Sequence, residues 1–143
     1  MPKKKDRIVI DTNLWISFLL TNNYSRLDRL FTDHLIILLF SQTLLNEFIE
    51  VSHRPKFRKY FALTDLQDVL NQIRNQAEFI DVTSEIEICR DPKDNFLLSL
   101  AKDGNATHLI TGDKDLLDIK VFGKTKIVTI ANYFLKNQAL PPK

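Results

Sequence analysis

Glycine is almost missing from this sequence, with three residues in 143. No Gly-rich turn follows any apolar run, which excludes phosphate cradles of the P-loop or dinucleotide type. Cysteine is scarcer still. A lone Cys89 excludes an intrachain disulfide and suits a reducing, cytoplasmic setting. It sits in EIEIC among acidic and apolar neighbours, which reads as a small packed side chain rather than a nucleophile. Long apolar runs are absent too. LIILLF at 35–40 falls far short of the roughly 20 residues that span a bilayer, so no membrane partner is expected. The basic start MPKKKDR runs into a short strand pattern with an acid, not a long apolar stretch, so no signal peptide is expected. A formal net charge of +2 does not make the whole molecule a polyanion trap.

What is present is a regular alternation. RIVID (7–11), LIILLF (35–40), FIDV (79–82), HLIT (108–111) and KIVTI (126–130) read as short buried strands. Between them, SRLDRLF, SQTLLNEFIEVS, TDLQDVLNQIRNQA and DPKDNFLLSLAKDG carry apolar residues at helical spacing, and IANYFLKN adds a last helix. Ser41 is the expected N-cap of the second of these. Strands that are apolar throughout and separated by helices imply a parallel sheet covered on both faces, a three-layer α/β/α sandwich. One domain is expected over 7–138, with a basic tail at 1–6 and a C-terminal tail at 139–143.

In open parallel sheets, sites form beyond the carboxyl ends of the strands. Asp11 ends the first strand. Glu47 lies about two turns into the helix after the second. Asp94 opens the helix before the fourth, and Asp113 and Asp115 follow the fourth in TGDKD. Each has a plain alternative. Asp11 and Asp113 are candidate helix caps, and Glu47 a solvated face residue. Asp91 and Asp94 fit N-cap and N3 of a helix over 92–103 with Pro92 at N1 and Gly104 as its stop. Converging carboxylates repel, by about 4 kcal/mol for unit charges at 4 Å and an effective dielectric near 20. They therefore need a cation or shared protons. Hard oxygen donors without paired His or Cys select Mg²⁺ or Mn²⁺.

IDTN at 10–13, the acid inside SQTLLNEFIEVSHR, DPKDNFLL at 91–98 and LITGDKDLL at 109–117 together resemble PIN-domain ribonucleases, and most closely those described as toxins of toxin–antitoxin pairs. The resemblance implies a five-stranded parallel sheet of order 3-2-1-4-5. It implies catalytic roles for Asp11, Glu47, Asp94 and Asp113, with Asp11, Asp94, Asp113 and Asp115 as metal ligands. It also implies pocket positions at Thr12, Asn13, Asn95 and Thr111. The implied activity is Mg²⁺- or Mn²⁺-dependent endonucleolytic hydrolysis of single-stranded RNA. Implied partners are a second copy of the chain and a small protein antitoxin.

Lys93 and Lys114 flank the acids, and Arg54 and Lys56 belong to a basic run, His53 to Lys59, beyond the second apolar helix pattern. These are candidate RNA contacts, with solvated lysines and arginines as the alternative. Trp15 is expected to pack the first helix, and His108 to be structural. Two other enzyme classes fit less well. A haloacid-dehalogenase-type phosphatase would carry a second Asp two residues after Asp11, where this chain has DTN, and a receiver domain needs an acceptor Asp after the third strand. Open alternatives are a nuclease of RNA processing, a nuclease acting on DNA, and a non-catalytic RNA-binding protein.

Overall fold

The structure is a computed structural model that describes residues 5–21, 24–89 and 94–137. Its strands β1 (Asp6–Ile10), β2 (Ile36–Phe40), β3 (Glu78–Phe79), β4 (His108–Ile110), β5 (Val121–Phe122) and β6 (Thr125–Val128) form one sheet in the order β3-β2-β1-β4-β6-β5. All pairings are parallel except that of β5 with β6. The five expected strands thus stand in the expected order, with β1 between β2 and β4. A sixth strand extends the sheet through a tight turn at Gly123, whose φ of +60° suits glycine. Two residues are too short a run to show periodicity, which is why β5 was not foreseen.

The helices are α1 (Thr12–Thr21), α2 (Tyr24–Thr32), α3 (Gln42–Ser52), α4 (Leu63–Gln76), α5 (Asn95–Asp103), α6 (Lys114–Leu117) and α7 (Ile130–Asn137). They flank the sheet as a mixed α/β fold requires. Ser41 caps α3, its hydroxyl accepting from the Leu44 amide at 3.1 Å. Trp15 is buried at the centre of an aromatic cluster with Phe18, Phe31, Phe40 and Phe48, ring centroids 5.4–6.0 Å away. These rings come from α1, α2, β2 and α3, so one side chain ties four elements together.

Several element boundaries differ from expectation, each for a local reason. β3 stops at Phe79 rather than running to residue 82. After the Ile80 amide bonds Phe40 O at 2.8 Å, β2 offers no further partner. The next amides turn to side chains of α5. Thr83 and Ser84 donate to Asp103, and Ile86 donates to Ser99. The strand expected over 126–130 ends at Val128 because Thr129 caps α7, its hydroxyl accepting from the Asn132 amide at 3.1 Å. The described part of α5 opens at Asn95, so Asp94 stands at N-cap and not at N3. The expected cap Asp91 and first helical residue Pro92 lie outside the described residues. Gly104 ends α5 without a left-handed backbone. That role falls to Asn105 at φ 53°, and the Ala106 amide bonds Ala101 O at 2.9 Å in a Schellman arrangement. Glycine at 104 lets the chain pass close to β2, since a Cβ there would lie 2.9 Å from Leu39 Cδ1 and the leucine side chain would have to shift.

Two carboxylates away from the strand ends stabilise this frame. Arg7 of β1 grips Glu78 with two parallel bonds of 3.0 and 2.9 Å and donates from Nε to Gly104 O. The Arg7 guanidinium holds the Glu78 carboxyl below its ordinary 4.5, and the Ser84 hydroxyl and amide hold Asp103 below 3.8. A depressed folded-state pKa contributes stability that is complete above the unfolded value and is lost as pH falls through the folded one. Asp103→Asn and Glu78→Gln should therefore melt earlier than the parent at pH 7, and the gap should close as the pH falls through the depressed carboxyl range. Thermal melts across pH 2–7 check this. A constant gap at all pH values would contradict it.

Candidate active site

The carboxyl ends of β1 and β4 lie side by side, because these strands pair in register from Ile8↔His108 to Ile10↔Ile110. The Asp11 amide extends the ladder to Ile110 O at 3.0 Å, and the Thr111 amide extends it to Val128 O at 3.0 Å. Asp11 and Thr111 are thereby fixed as neighbours, both buried, with Asp11 only 5% exposed. The Thr111 hydroxyl donates to Asp11 Oδ2 at 2.7 Å and accepts from the Asp113 amide at 3.0 Å. Asp11 Oδ1 accepts from the Asn13 amide at 3.2 Å.

The capping alternatives hold for two of the acids. Asp11 closes the first turn of α1 through its carbonyl and carboxylate, and Asp113 Oδ2 accepts from the Leu116 amide at 3.1 Å to cap α6. Capping does not exhaust Asp11. Burial pushes its carboxyl above the ordinary value, and the negative charge of Asp113 pushes the same way. The Thr111 hydroxyl and the Asn13 and Thr12 amides only partly offset them. A buried acid beside a second acid, with no cationic side chain bonded to it among the described residues, favours the approach of positive charge.

Glu47 joins through Thr12. This buried residue follows Asp11 directly and donates from Oγ1 to Glu47 Oε2 at 2.7 Å. The bond fixes α3 against the start of α1. Glu47 is half-buried, so the solvated-face reading does not describe it.

Asp94, also half-buried, makes no side-chain capping hydrogen bond on α5, a helix that packs against β1 and α3. Asn95 turns its side-chain oxygen to the Cys89 amide at 2.9 Å and pins the preceding segment to α5. Asn13 is exposed and Asp115 half-buried on α6. Lys114, Arg54 and Lys56 are exposed, and Lys93 lies outside the described residues.

The described residues thus gather Asp11, Thr12, Asn13, Glu47, Thr111 and Asp113 into one hydrogen-bonded neighbourhood. They contain no group of three or more His, Cys, Asp or Glu side chains placed to hold a metal ion. The Thr111 and Thr12 hydroxyls each occupy one carboxylate oxygen at this edge. The donor set is oxygen throughout, the kind that suits Mg²⁺ or Mn²⁺, and the raised Asp11 carboxyl is the feature an added cation would relieve. No helix among the described residues is long and apolar enough to cross a membrane.

A mostly parallel sheet of this order, with acids at the ends of β1 and β4, is an α/β arrangement of the kind whose sites lie beyond the carboxyl ends of the strands. The chain belongs to the PIN-domain family, whose model matches residues 7–115. It is also 32% identical to the uncharacterized protein MJ1680 of Methanocaldococcus jannaschii over 140 residues, covering 95% of this chain and 88% of that protein.

Proposed function

We propose that the protein is a metal-dependent endoribonuclease that hydrolyses phosphodiester bonds of single-stranded RNA. The observation that carries this reading is Asp11, a buried acid at the centre of the sheet edge. Its carboxyl is raised by burial and by Asp113, and it is held by Thr111. Asp11, Asp94, Asp113 and Asp115 would hold Mg²⁺ or Mn²⁺, with Glu47 as a further catalytic acid. When bound, the ion supplies the positive charge that offsets the carboxylates and the substrate phosphate.

The chain's own residues do the rest. Thr111 fixes the rotamer of Asp11 and leaves it no freedom to swing toward solvent. Thr12 holds Glu47 Oε2, which leaves Oε1 to orient a water and accept its proton. Asn13 and Asn95 border the site, and Lys114, Lys93, Arg54 and Lys56 meet substrate phosphates.

Cleavage of labelled single-stranded RNA, duplex RNA and single-stranded DNA by the purified chain tests the substrate class. Single-stranded RNA is expected to be cut fastest, and equal rates on DNA would favour the DNA-directed alternative.

The narrower form of this proposal is a toxin that acts as a homodimer and is restrained by a small protein antitoxin. Exposed apolar side chains such as Leu135 and Val121 are what such assemblies would cover. Expression in a host without the partner should arrest growth, and Asp94→Asn should relieve the arrest. Normal growth beside soluble, RNA-cleaving protein would point instead to a stand-alone enzyme of RNA processing.

A further inference from the structure

The segment after α3 reads HRPKFRKYF, residues 53–61, with cationic and aromatic side chains interleaved. It forms a 3₁₀ turn at Pro55–Phe57 followed by further turns into α4. Arg54, Lys56, Arg58 and Lys59 are all exposed, and among the described residues none is paired with a carboxylate. Tyr60 is 54% exposed and Leu63 67% exposed. Lys56 and Lys59 lie over the rings of Phe57 and Tyr60 at 5.1 and 6.0 Å. Beneath the turn is a cavity of about 320 Å³, lined by Ser52, His53, Arg58, Phe61, Ala62 and Leu63. Apolar Phe61, Ala62 and Leu63 share this lining with one cation, Arg58.

Four positive charges without a carboxylate partner among the described residues surround one exposed ring, Tyr60, and two half-buried ones, Phe57 and Phe61. Apolar side chains left in water gain nothing, and like charges repel. The combination matches single-stranded nucleic acid, which offers flat π-faces and a phosphate for each base. A protein partner with an acidic, apolar segment would meet the charges but would not use the planar rings.

Placement adds a second argument. The C-cap His53, at φ −90° and ψ 1°, carries the chain one more step along the helix path, and the Arg54 amide still bonds Val51 O at 3.1 Å. The turn thus begins directly after α3, the helix that carries Glu47, and Arg54 follows Glu47 by seven residues in sequence. His53 donates from Nδ1 to Ile49 O at 2.7 Å, which leaves Nε2 for a ligand at the rim.

We infer that the turn 53–63 is a substrate-binding subsite for single-stranded RNA, in which a nucleobase enters the cavity beside Phe61 and stacks near Tyr60 while Arg54 and Arg58 hold the flanking phosphates. This rests on the nuclease reading for its substrate, but not on cleavage itself.

The test is binding of a short, fluorescently labelled single-stranded RNA of mixed sequence to the full chain in EDTA, read by polarisation across a KCl series. For Arg54→Ala/Arg58→Ala, the slope of log affinity against log salt should fall by about 1.4, since each neutralised phosphate contact on a single strand contributes about 0.7. Tyr60→Ala should weaken binding about fivefold or more at unchanged slope, the mark of lost stacking. Melting temperatures of these surface variants should match the parent.

Unchanged affinity and slope in the double Ala variant would overturn the inference, even if metal-dependent cleavage is intact. The same variant altering only self-association in sedimentation would overturn it too, by assigning the turn to a second copy. RNA binding that depends on Arg54, Arg58 and Tyr60 in a chain that never cleaves would support it and count against the nuclease reading alone.

Discussion

Asp11→Asn is expected to lower the RNA-cleavage rate about 100-fold or more while leaving the fold intact. The rate effect follows from removing one charge from a buried site whose electrostatics are fixed in advance. The stability effect is a balance of two terms. The substitution removes a carboxylate whose ionised form is disfavoured by burial and by Asp113, which is favourable. It also replaces one of two acceptors, which leaves an NH₂ group facing either the Thr111 hydroxyl or the Asn13 amide. The hydroxyl can rotate to accept, so the amide side chain should settle with its oxygen toward Asn13. Melting should therefore move by only a few degrees, whereas cleavage collapses. Large loss of both together would mean that Asp11 serves chiefly as the cap of α1.

The opposite pattern is expected at Trp15. Trp15→Ala should cost about 3–5 kcal/mol, the usual range for truncating a fully buried large aromatic. For a chain of this size that corresponds to a fall in melting temperature of about 10 °C or more. The cavity would open among Phe18, Phe31, Phe40 and Phe48. Those rings are anchored in four different elements and cannot collapse into it together. Trp15→Phe should cost much less. It keeps a ring in the cluster and removes an indole N–H that has no hydrogen-bond partner among the described residues. Thermal melts of the two variants decide the matter. Equal losses would mean that the indole's polar atom, rather than its volume, holds the cluster.

The sequence carried the parallel order of the sheet because five apolar runs alternate with amphipathic helices, and that pattern has few topological solutions. It carried Asp11, Glu47 and Asp113 because each falls where a parallel sheet exposes its strand ends. What it could not carry was set by long-range pairing. Nothing local in Glu47 or Thr12 announces that their side chains meet, as they are 35 residues apart. The Arg7–Glu78 grip spans 71 residues and had no sequence mark either. β3 looked longer than it is because Ile80 and Val82 carry strand-like side chains, while the amides that follow are satisfied by Asp103 and Ser99 of a distant helix.

The same residue types also served two purposes at once, which composition alone does not separate. Asp113 caps α6 with one oxygen and charges the Asp11 site with its presence. Asp94 occupies the N-cap position of the described part of α5 without a side-chain capping bond there. Its half-buried place at the start of a helix packed on β1 is why it stays among the residues proposed to act in catalysis.

The central claim is that the acidic edge around Asp11 cleaves RNA with the help of a divalent cation. The most direct measurement follows cleavage of a labelled single-stranded RNA by the purified chain in MgCl₂, in MnCl₂ and in EDTA, with Asp11→Asn run in parallel. The account predicts internal cleavage with either ion, none in EDTA, and recovery when the ion is restored in excess, with Asp11→Asn silent throughout. Full cleavage in metal-free buffer, or cleavage by Asp11→Asn at the parent's rate, would contradict it.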